Sequence, residues 1–150
     1  MKILVLCHGN KYRSPACEGF LRQLGCKDIE SAGFAYPDQP AAKKMREALV
    51  AFGIDVSTHT SRVVTQQMVD RADIILYMDG GNRKRLAAAF PGAMRKAKCL
   101  ADYIRESRIP DPAFIRPQGP TFTQIVDKIK RASNAVYDKI ILEETTNGQK

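Results

Sequence analysis

The sequence lacks the long hydrophobic runs that mark a membrane protein. No stretch approaches the run of about 18 apolar residues that a membrane-spanning helix needs. The apolar run at residues 3–6 is also too short for the core of a secretory signal peptide. These absences predict no membrane association, and we expect the chain in the cytoplasm.

Cysteines are few, and their pattern excludes two common classes of small protein. The four lie at Cys7, Cys17, Cys26 and Cys99. They show neither the paired short spacing of a zinc site nor the density of a disulfide-stabilised secreted domain. Internal repeats, low-complexity tracts and linkers are absent as well. We therefore expect free thiols, no metal, and one domain over residues 1–150.

The composition is that of a globular protein with a basic balance. Hydrophobic residues make up 44% of the chain and charged residues 27%, which argues against disorder. The net charge is +8 at pH 7. This charge fits phosphorylated or polyanionic partners, but it fits a solvated basic surface equally well, so it decides nothing alone.

Short apolar runs alternate with amphipathic segments along the chain. Strands are predicted at residues 2–6, 29–32, 74–78 and 98–101, with the third in the centre of the sheet. Helices are predicted from Pro15 until Gly25 and at residues 39–52, 65–72, 82–90 and 121–143. Ser14 is predicted as the N-cap of the first helix, and the tail from Thr145 as frayed. This alternation predicts an α/β fold with a parallel, doubly wound sheet.

The segment between the first strand and the first helix has the composition of a phosphate-binding loop. It reads Cys7-His8-Gly9-Asn10-Lys11-Tyr12-Arg13-Ser14. Backbone amides of such a loop can converge on a phosphate together with the N-terminus of the next helix. Gly9 and Asn10 are predicted to take left-handed backbone conformations that turn successive amides toward one centre.

Two side chains give this loop catalytic potential. Arg13 offers a planar fork that can grip two phosphate oxygens at once. Cys7 lies where amides, a helix N-terminus and Arg13 would stabilise a thiolate, which predicts a nucleophile. Ser14 could cap the helix, donate a hydrogen bond to that thiolate, or do both. Cys99 and Arg105 repeat the Cys-x5-Arg spacing without these surroundings, so context rather than spacing carries the prediction.

The proline-rich segment 102–120 offers a proton donor. It has no clear periodicity, and a loop this long in a compact domain is usually functional. Phosphoryl transfer to a thiolate needs a proton for the departing oxygen. Asp111, fixed between Pro110 and Pro112, is the candidate acid, and a structural turn aspartate is the alternative.

With these residues in place, the sequence resembles the low-molecular-weight protein tyrosine phosphatases. The shared segments are Cys7 to Pro15, Ser31-Ala32-Gly33, Gly53-Ile54-Asp55 through His59, Met78-Asp79 and Asp111-Pro112. The resemblance implies a four-stranded parallel sheet flanked by helices in flavodoxin-like strand order. It also implies no metal or organic cofactor, and a phosphocysteine intermediate that water hydrolyses.

The resemblance assigns roles to single residues as well. Cys7 would be the nucleophile, Arg13 the phosphate clamp, and Asp111 first the acid and then the base that activates water. Residues 8–14 would bind the phosphate. A polar network would hold the loop in shape, formed by Asn10, Ser14, Ser31 and His59.

The loop departs from the family pattern next to its arginine. Tyr12 stands where the family commonly has a second cysteine, so the usual protective disulfide with Cys7 cannot form. Cys17, one turn into the helix, could replace that partner, and a buried structural thiol is the alternative reading.

The surroundings of the pocket also differ from the family pattern. Tyr36 and Phe114 lie near the positions of an aromatic pocket wall. His8 and Lys11 make the loop more polar than is usual in the family. Lys11 could favour acidic residues beside a substrate, or it could be a solvated charge on the rim.

The expected substrate is a phosphotyrosine protein or a small aryl phosphate, and the expected state is a monomer or weak dimer. One alternative is an arsenate reductase of the same fold, although only Cys99 lies near the segment where such enzymes carry two further cysteines. Another is a noncatalytic module that binds phosphate or nucleic acid through the basic cluster from Arg83 to Lys98. That cluster lacks interleaved aromatic residues, so no nucleic-acid partner is expected.

Overall fold

Four short strands form one parallel sheet in the computed structural model, which describes residues 1–148. The strands are β1 (Ile3–Leu6), β2 (Ile29–Ala32), β3 (Ile74–Tyr77) and β4 (Ala97–Cys99). Their order across the sheet is β2-β1-β3-β4, and every neighbouring pair is parallel. This is the flavodoxin-like order, so the predicted α/β fold and its four-stranded doubly wound sheet are confirmed.

β1 and β3 occupy the centre of the sheet, as the apolar run of β3 predicts. Residues 3–6 are at most 1% exposed. Strands covered on both faces read as continuous apolar runs rather than as an alternation of polar and apolar residues. The burial therefore explains why these segments could be recognised from sequence.

Within residues 1–148, five α-helices flank the sheet. They are α1 (Arg13–Leu24), α2 (Lys43–Val50), α3 (Gln66–Arg71), α4 (Gly80–Ala89) and α5 (Phe122–Gly148), with 3-10 turns at Pro91–Lys96 and Leu100–Ile104. α5 packs against α1. It buries Ile125, Ile129, Ala132 and Val136, whose spacing of three and four residues places them on one helical face.

The direction of the chain crossovers changes between β1 and β3. β2 lies on one side of this central pair and β4 on the other. In open parallel sheets, ligands bind outside the carboxyl ends of the strands at such a switch point. β1 leads there into Cys7, and β3 leads into Met78 and Asp79.

The start of α1 differs from its prediction. The helix begins at Arg13, Tyr12 occupies the N-cap position without a side-chain hydrogen bond, and Ser14 lies in the first turn. The predicted N-cap role of Ser14 is wrong, because its hydroxyl contacts Asn10 and Cys7 instead. Gly25 ends the helix as predicted, in a left-handed conformation with φ 119°.

Other helix bounds differ by a few residues. α2 does not include the predicted residues 39–42, because Pro40 pairs with Thr60 and Ala42 has an extended backbone. α4 begins at Gly80 because the Asp79 side chain accepts a hydrogen bond from the backbone of Asn82.

The end of the chain also differs from its prediction. α5 continues to Gly148, so the tail predicted to fray from Thr145 is helical there, and positions 149–150 lie outside the described residues. Within residues 1–148, no helix is both long and apolar enough to cross a membrane.

Candidate active site

The sulfur of Cys7 lies at the base of the loop between β1 and α1. Cys7 is 2% exposed. Its Sγ accepts a hydrogen bond from the backbone N–H of Asn10 at 3.2 Å and lies 3.0 Å from Ser14 Oγ. Because Asn10 Nδ2 donates to that same Oγ at 2.8 Å, the Ser14 hydroxyl is free to donate its own proton to the sulfur. Two hydrogen-bond donors thus face the sulfur at the base of the loop.

Asn10 is the centre of the network that holds the loop. Its φ of 55° is left-handed as predicted, whereas Gly9 lies outside that region, so the prediction for Gly9 is wrong. Asn10 Nδ2 also donates to Ser31 Oγ at 3.0 Å, and the backbone oxygen of Asn10 accepts a hydrogen bond from His59 Nε2 at 2.7 Å. The structure therefore brings together the four residues predicted to support the loop.

Arg13 is buried, at 2% exposure, yet its guanidinium reaches the edge of the pocket. Nη1 donates to Asp79 Oδ2 at 2.7 Å and to the backbone oxygen of Ile109 at 2.8 Å. Nη2 lies 3.6 Å from Asp111 Oδ2. These contacts leave the guanidinium little freedom to turn, so its fork is oriented before any phosphate arrives.

The electrostatic environment of Asp79 follows from this pairing. Burial raises the pKa of the Asp79 carboxyl, but the hydrogen bond from Arg13, with those from the backbone of Asn82 and Gly81, outweighs burial and holds the pKa below its ordinary value. The charged form of Asp79 is therefore favoured in the folded protein. It compensates the buried charge of Arg13.

Asp79→Asn is expected to destabilise the protein in a pH-dependent way, while the Asn side chain still caps α4. Because the pKa of Asp79 is lower in the folded state, its charge stabilises the fold fully above the unfolded pKa of about 3.9 and loses this effect as the pH falls through the folded value. Urea unfolding of both proteins between pH 7 and pH 3 should show a difference in unfolding free energy that narrows toward acid. A difference independent of pH would contradict this account.

Asp111 faces the loop from the segment after β4, between Pro110 and Pro112. Its Oδ1 accepts a hydrogen bond from the backbone N–H of Ala113 at 3.0 Å, while Oδ2 points toward Arg13. The side chain is 29% exposed and lines the same pocket as Cys7. The structure thus places the candidate acid and the candidate nucleophile on one pocket, although the sequence separates the two by most of the chain.

One pocket of about 180 Å³ contains these groups. Its rim carries two aromatic side chains, Tyr36 at 59% and Phe114 at 80% exposure. The ring of His8 contacts that of Tyr36 edge to face, with centroids 5.7 Å apart. The lining residues are Cys7, His8, Gly9, Lys11, Tyr12, Arg13, Tyr36, Asp111, Ala113 and Phe114.

The remaining three cysteines do not line this pocket. Cys17 is fully buried, accepts a hydrogen bond from Ser133 Oγ at 3.4 Å, and has its pKa raised to about 12, chiefly by burial. Cys99 is 5% exposed, and its thiol points toward the backbone oxygen of Met78 at 3.6 Å. Among residues 1–148, Cys7 is the only cysteine that lines the pocket, and no group of three His, Cys, Asp or Glu side chains could hold a metal ion.

Sequence reasoning did not assign a site role to several residues that hold the pocket together. Asp79 bonds Arg13, the backbone N–H of Arg62 donates to Asn10 Oδ1 at 3.1 Å, and Glu18 accepts from Ser31 Oγ at 2.7 Å. One signal was available for Asp79, because it follows β3 at the sheet edge where Cys7 follows β1.

Gly33 lets two loops approach each other closely. A Cβ at this position would lie 2.7 Å from the backbone oxygen of His8 and 2.9 Å from the backbone nitrogen of Asn10. Neither atom can move without distorting the loop. The glycine of the Ser31-Ala32-Gly33 segment is therefore required by packing against the candidate active loop.

The pocket has a hydrogen-bonded cysteine sulfur at its base, together with an arginine guanidinium and a carboxyl group. Cysteine-dependent phosphatases use these three groups, and the fold and the site together define that class of protein. Residues 2–146 match the low molecular weight phosphotyrosine protein phosphatase family. The chain belongs to this family, as its sequence motifs predict.

Similar proteins include phosphatases that are named for different phosphorylated residues, tyrosine and arginine. EpsP, a probable low molecular weight protein-tyrosine-phosphatase of Ralstonia nicotianae, is 34% identical over 92% of this chain and 94% of its own. Vibrio vulnificus Wzb, solved with benzylphosphonate, is 31% identical with a TM-score of 0.84, covering 92% of this chain and 97% of its own. The YwlE arginine phosphatase of Geobacillus stearothermophilus is 26% identical, also with a TM-score of 0.84, covering 97% and 96%.

Proposed function

We propose that this protein hydrolyses phosphotyrosine in proteins, and small aryl phosphates, through a phosphocysteine intermediate at Cys7. The observation that carries the proposal is the sulfur of Cys7, which two hydrogen-bond donors face at the base of a pocket lined by Arg13 and Asp111. Nucleophile, charge clamp and proton carrier thus share one cavity, as covalent phosphoryl transfer requires.

The reaction has two steps. In the first, the thiolate of Cys7 attacks phosphorus, the S–P bond forms, the P–O bond to the aryl group breaks, and Asp111 gives its proton to the departing oxygen. In the second, Asp111 takes a proton from water, the resulting hydroxide attacks phosphorus, and the S–P bond breaks. Inorganic phosphate leaves, and the thiolate and the protonated Asp111 are restored. Arg13 and the amides of residues 8–14 bind the phosphoryl oxygens in both steps.

The rim of the pocket favours phosphotyrosine over phosphoarginine. Tyr36 and Phe114 present aromatic surface to a substrate ring. Lys11 lines the same pocket, and its Nζ lies 5.9 Å from the centroid of the Tyr36 ring. A positive charge there repels the guanidinium of phosphoarginine but attracts acidic residues that flank a phosphotyrosine.

The test compares two peptides of one sequence that differ only in carrying phosphotyrosine or phosphoarginine. We expect the wild type to have the higher kcat/KM for phosphotyrosine. Lys11→Met should shift the ratio toward phosphoarginine by about three- to tenfold, the factor for about 1 kcal/mol of screened charge repulsion. Lys84→Met, an exposed lysine on α4 outside the pocket, is the matched control and should leave the ratio unchanged. A wild type that prefers phosphoarginine would overturn the substrate assignment.

The two alternative functions find less support in the site. An arsenate reductase needs further cysteines that reach the first, but Cys99 is buried and directed toward the backbone of Met78. For nucleic acid, the basic residues Arg83, Lys84 and Arg85 are exposed on α4, but they do not line the pocket of Cys7. The expectations that no nucleic acid binds and that the protein is a monomer or weak dimer stay predictions.

A further inference from the structure

The segment from His59 to Arg62 connects the active loop with the loop that carries Tyr36. Its two ends hold the active loop, because His59 Nε2 and the backbone N–H of Arg62 donate to Asn10. Between them, Ser61 is 1% exposed and bonds to the Tyr36 loop instead. Neither contact of Asn10 uses the Ser61 side chain.

Ser61 makes four hydrogen bonds to residues 36–39. Its hydroxyl donates to the backbone oxygen of Tyr36 at 2.6 Å and accepts from the backbone N–H of Gln39 at 2.9 Å. Its backbone N–H donates to the oxygen of Gln39 at 2.7 Å, and its backbone oxygen accepts from the N–H of Asp38 at 2.8 Å. The side chain therefore supplies half of the contacts, while the backbone supplies the rest.

The loop that Ser61 holds is not in a relaxed conformation. Tyr36 has φ 57° and Asp38 has φ 62°, so two residues with side chains occupy the left-handed region within three positions. Such conformations persist only where surrounding contacts enforce them. The bonds to Tyr36 and Gln39 bracket this strained stretch, which explains how it is held.

The strained conformation places the Tyr36 ring on the pocket. Although 59% exposed, the ring lies edge to face with His8 and against Gly9, where a Cβ would approach it to 3.3 Å. An exposed ring in such a position depends on its backbone for orientation. The backbone of Tyr36, in turn, is fixed by the hydroxyl of Ser61.

We propose that Ser61 is a positioning residue that sets the aromatic wall at Tyr36 and so determines the preference for aryl over ringless phosphates. The proposal rests on the proposed phosphatase activity and adds a residue that contacts neither the phosphate nor the reacting atoms. Because the wall contacts the substrate ring equally before and during phosphoryl transfer, Ser61 acts on substrate binding rather than on the chemical step.

The test measures kcat, KM for para-nitrophenyl phosphate, and the competitive inhibition constant of inorganic phosphate. For Ser61→Ala we expect KM to rise about three- to tenfold, the factor for one lost contact between the substrate ring and the Tyr36 ring, with kcat within about twofold of wild type. The inhibition constant of phosphate, which has no ring, should stay unchanged. A change in KM alone indicates a displaced wall, because a distorted phosphate loop would raise the inhibition constant of phosphate as well.

Three further variants keep the test decisive. Ser133→Ala removes another buried, hydrogen-bonded hydroxyl that does not line the pocket and should leave all three constants unchanged. Ser61→Cys keeps a side chain of similar shape if the alanine variant folds poorly, and its weaker hydrogen bonds should also raise KM. In Tyr36→Leu, the further change Ser61→Ala should add little, because the wall is already lost.

The outcomes separate cleanly. The proposal is supported if Ser61→Ala raises KM without changing the inhibition constant of phosphate, and if the same substitution does not raise KM further in Tyr36→Leu. A parallel rise in the phosphate constant, an unchanged KM, or a full additional effect in the Tyr36→Leu background overturns it. An inactive wild type would instead refute the proposed function, so the two failures are distinguishable.

Discussion

Cys7→Ser is expected to abolish turnover of para-nitrophenyl phosphate, with a fall in kcat on the order of 10⁵-fold or more, as for nucleophiles of other covalent hydrolases. A serine hydroxyl is far harder to deprotonate than a thiol, and the network around position 7 contains donors but no base that could take its proton. The shape of the loop should survive, because Asn10, Ser31 and His59 hold it without the sulfur.

Two measurements distinguish loss of the nucleophile from loss of the fold. Calorimetric titration with inorganic phosphate should show that Cys7→Ser still binds the anion. Cys26→Ser makes the same change at a partly exposed thiol outside the pocket and should keep wild-type activity. A Cys7→Ser protein with substantial activity would exclude the covalent mechanism.

Asp111→Asn is expected to lower kcat/KM, which reports on the first step alone, by about 10²- to 10⁴-fold, the usual contribution of a general acid. The loss should be larger for phosphotyrosine than for para-nitrophenyl phosphate, because the nitro group stabilises the departing phenolate without a proton. This dependence on the leaving group is the signature of proton donation. A purely structural aspartate would affect both substrates alike.

The chain offers a close control for this substitution. Asp55 is exposed, and its Oδ1 accepts a hydrogen bond from the backbone of Ser57, two residues later, as Asp111 Oδ1 does from Ala113. Asp55→Asn therefore repeats the local turn change outside the pocket of Cys7 and should leave kcat/KM unchanged for both substrates. Equal losses of kcat/KM for both substrates in Asp111→Asn would assign Asp111 to the turn rather than to proton donation.

Local sequence signals predicted the parts of the molecule that local physics determines. The apolar runs of β1 and β3 are buried strands, and the gap between β1 and α1 is the loop around Cys7. Asn10 has the left-handed backbone expected of it. In each case, burial on both faces, helix termination or backbone sterics acts within a few residues.

Features that depend on distant partners could not be derived in this way. Ser14 has the residue type of an N-cap, but its hydroxyl bonds to Asn10 and Cys7 instead. Likewise, the contact of Arg13 with Asp79 joins residues 66 positions apart. No periodicity or propensity encodes such a contact, because it forms only when the ends of β1 and β3 meet at the sheet edge.

Among residues 1–148, no second cysteine lines the pocket of Cys7, and this governs how the enzyme responds to oxidants. A cysteine oxidised to sulfenic acid is rescued most readily by a neighbouring thiolate. Position 12 holds a tyrosine, and Cys17 is fully buried with a pKa of about 12, so it is protonated at neutral pH and a poor nucleophile. Recovery of the oxidised enzyme therefore depends on small thiols that diffuse into the pocket, and oxidation that outpaces them becomes permanent.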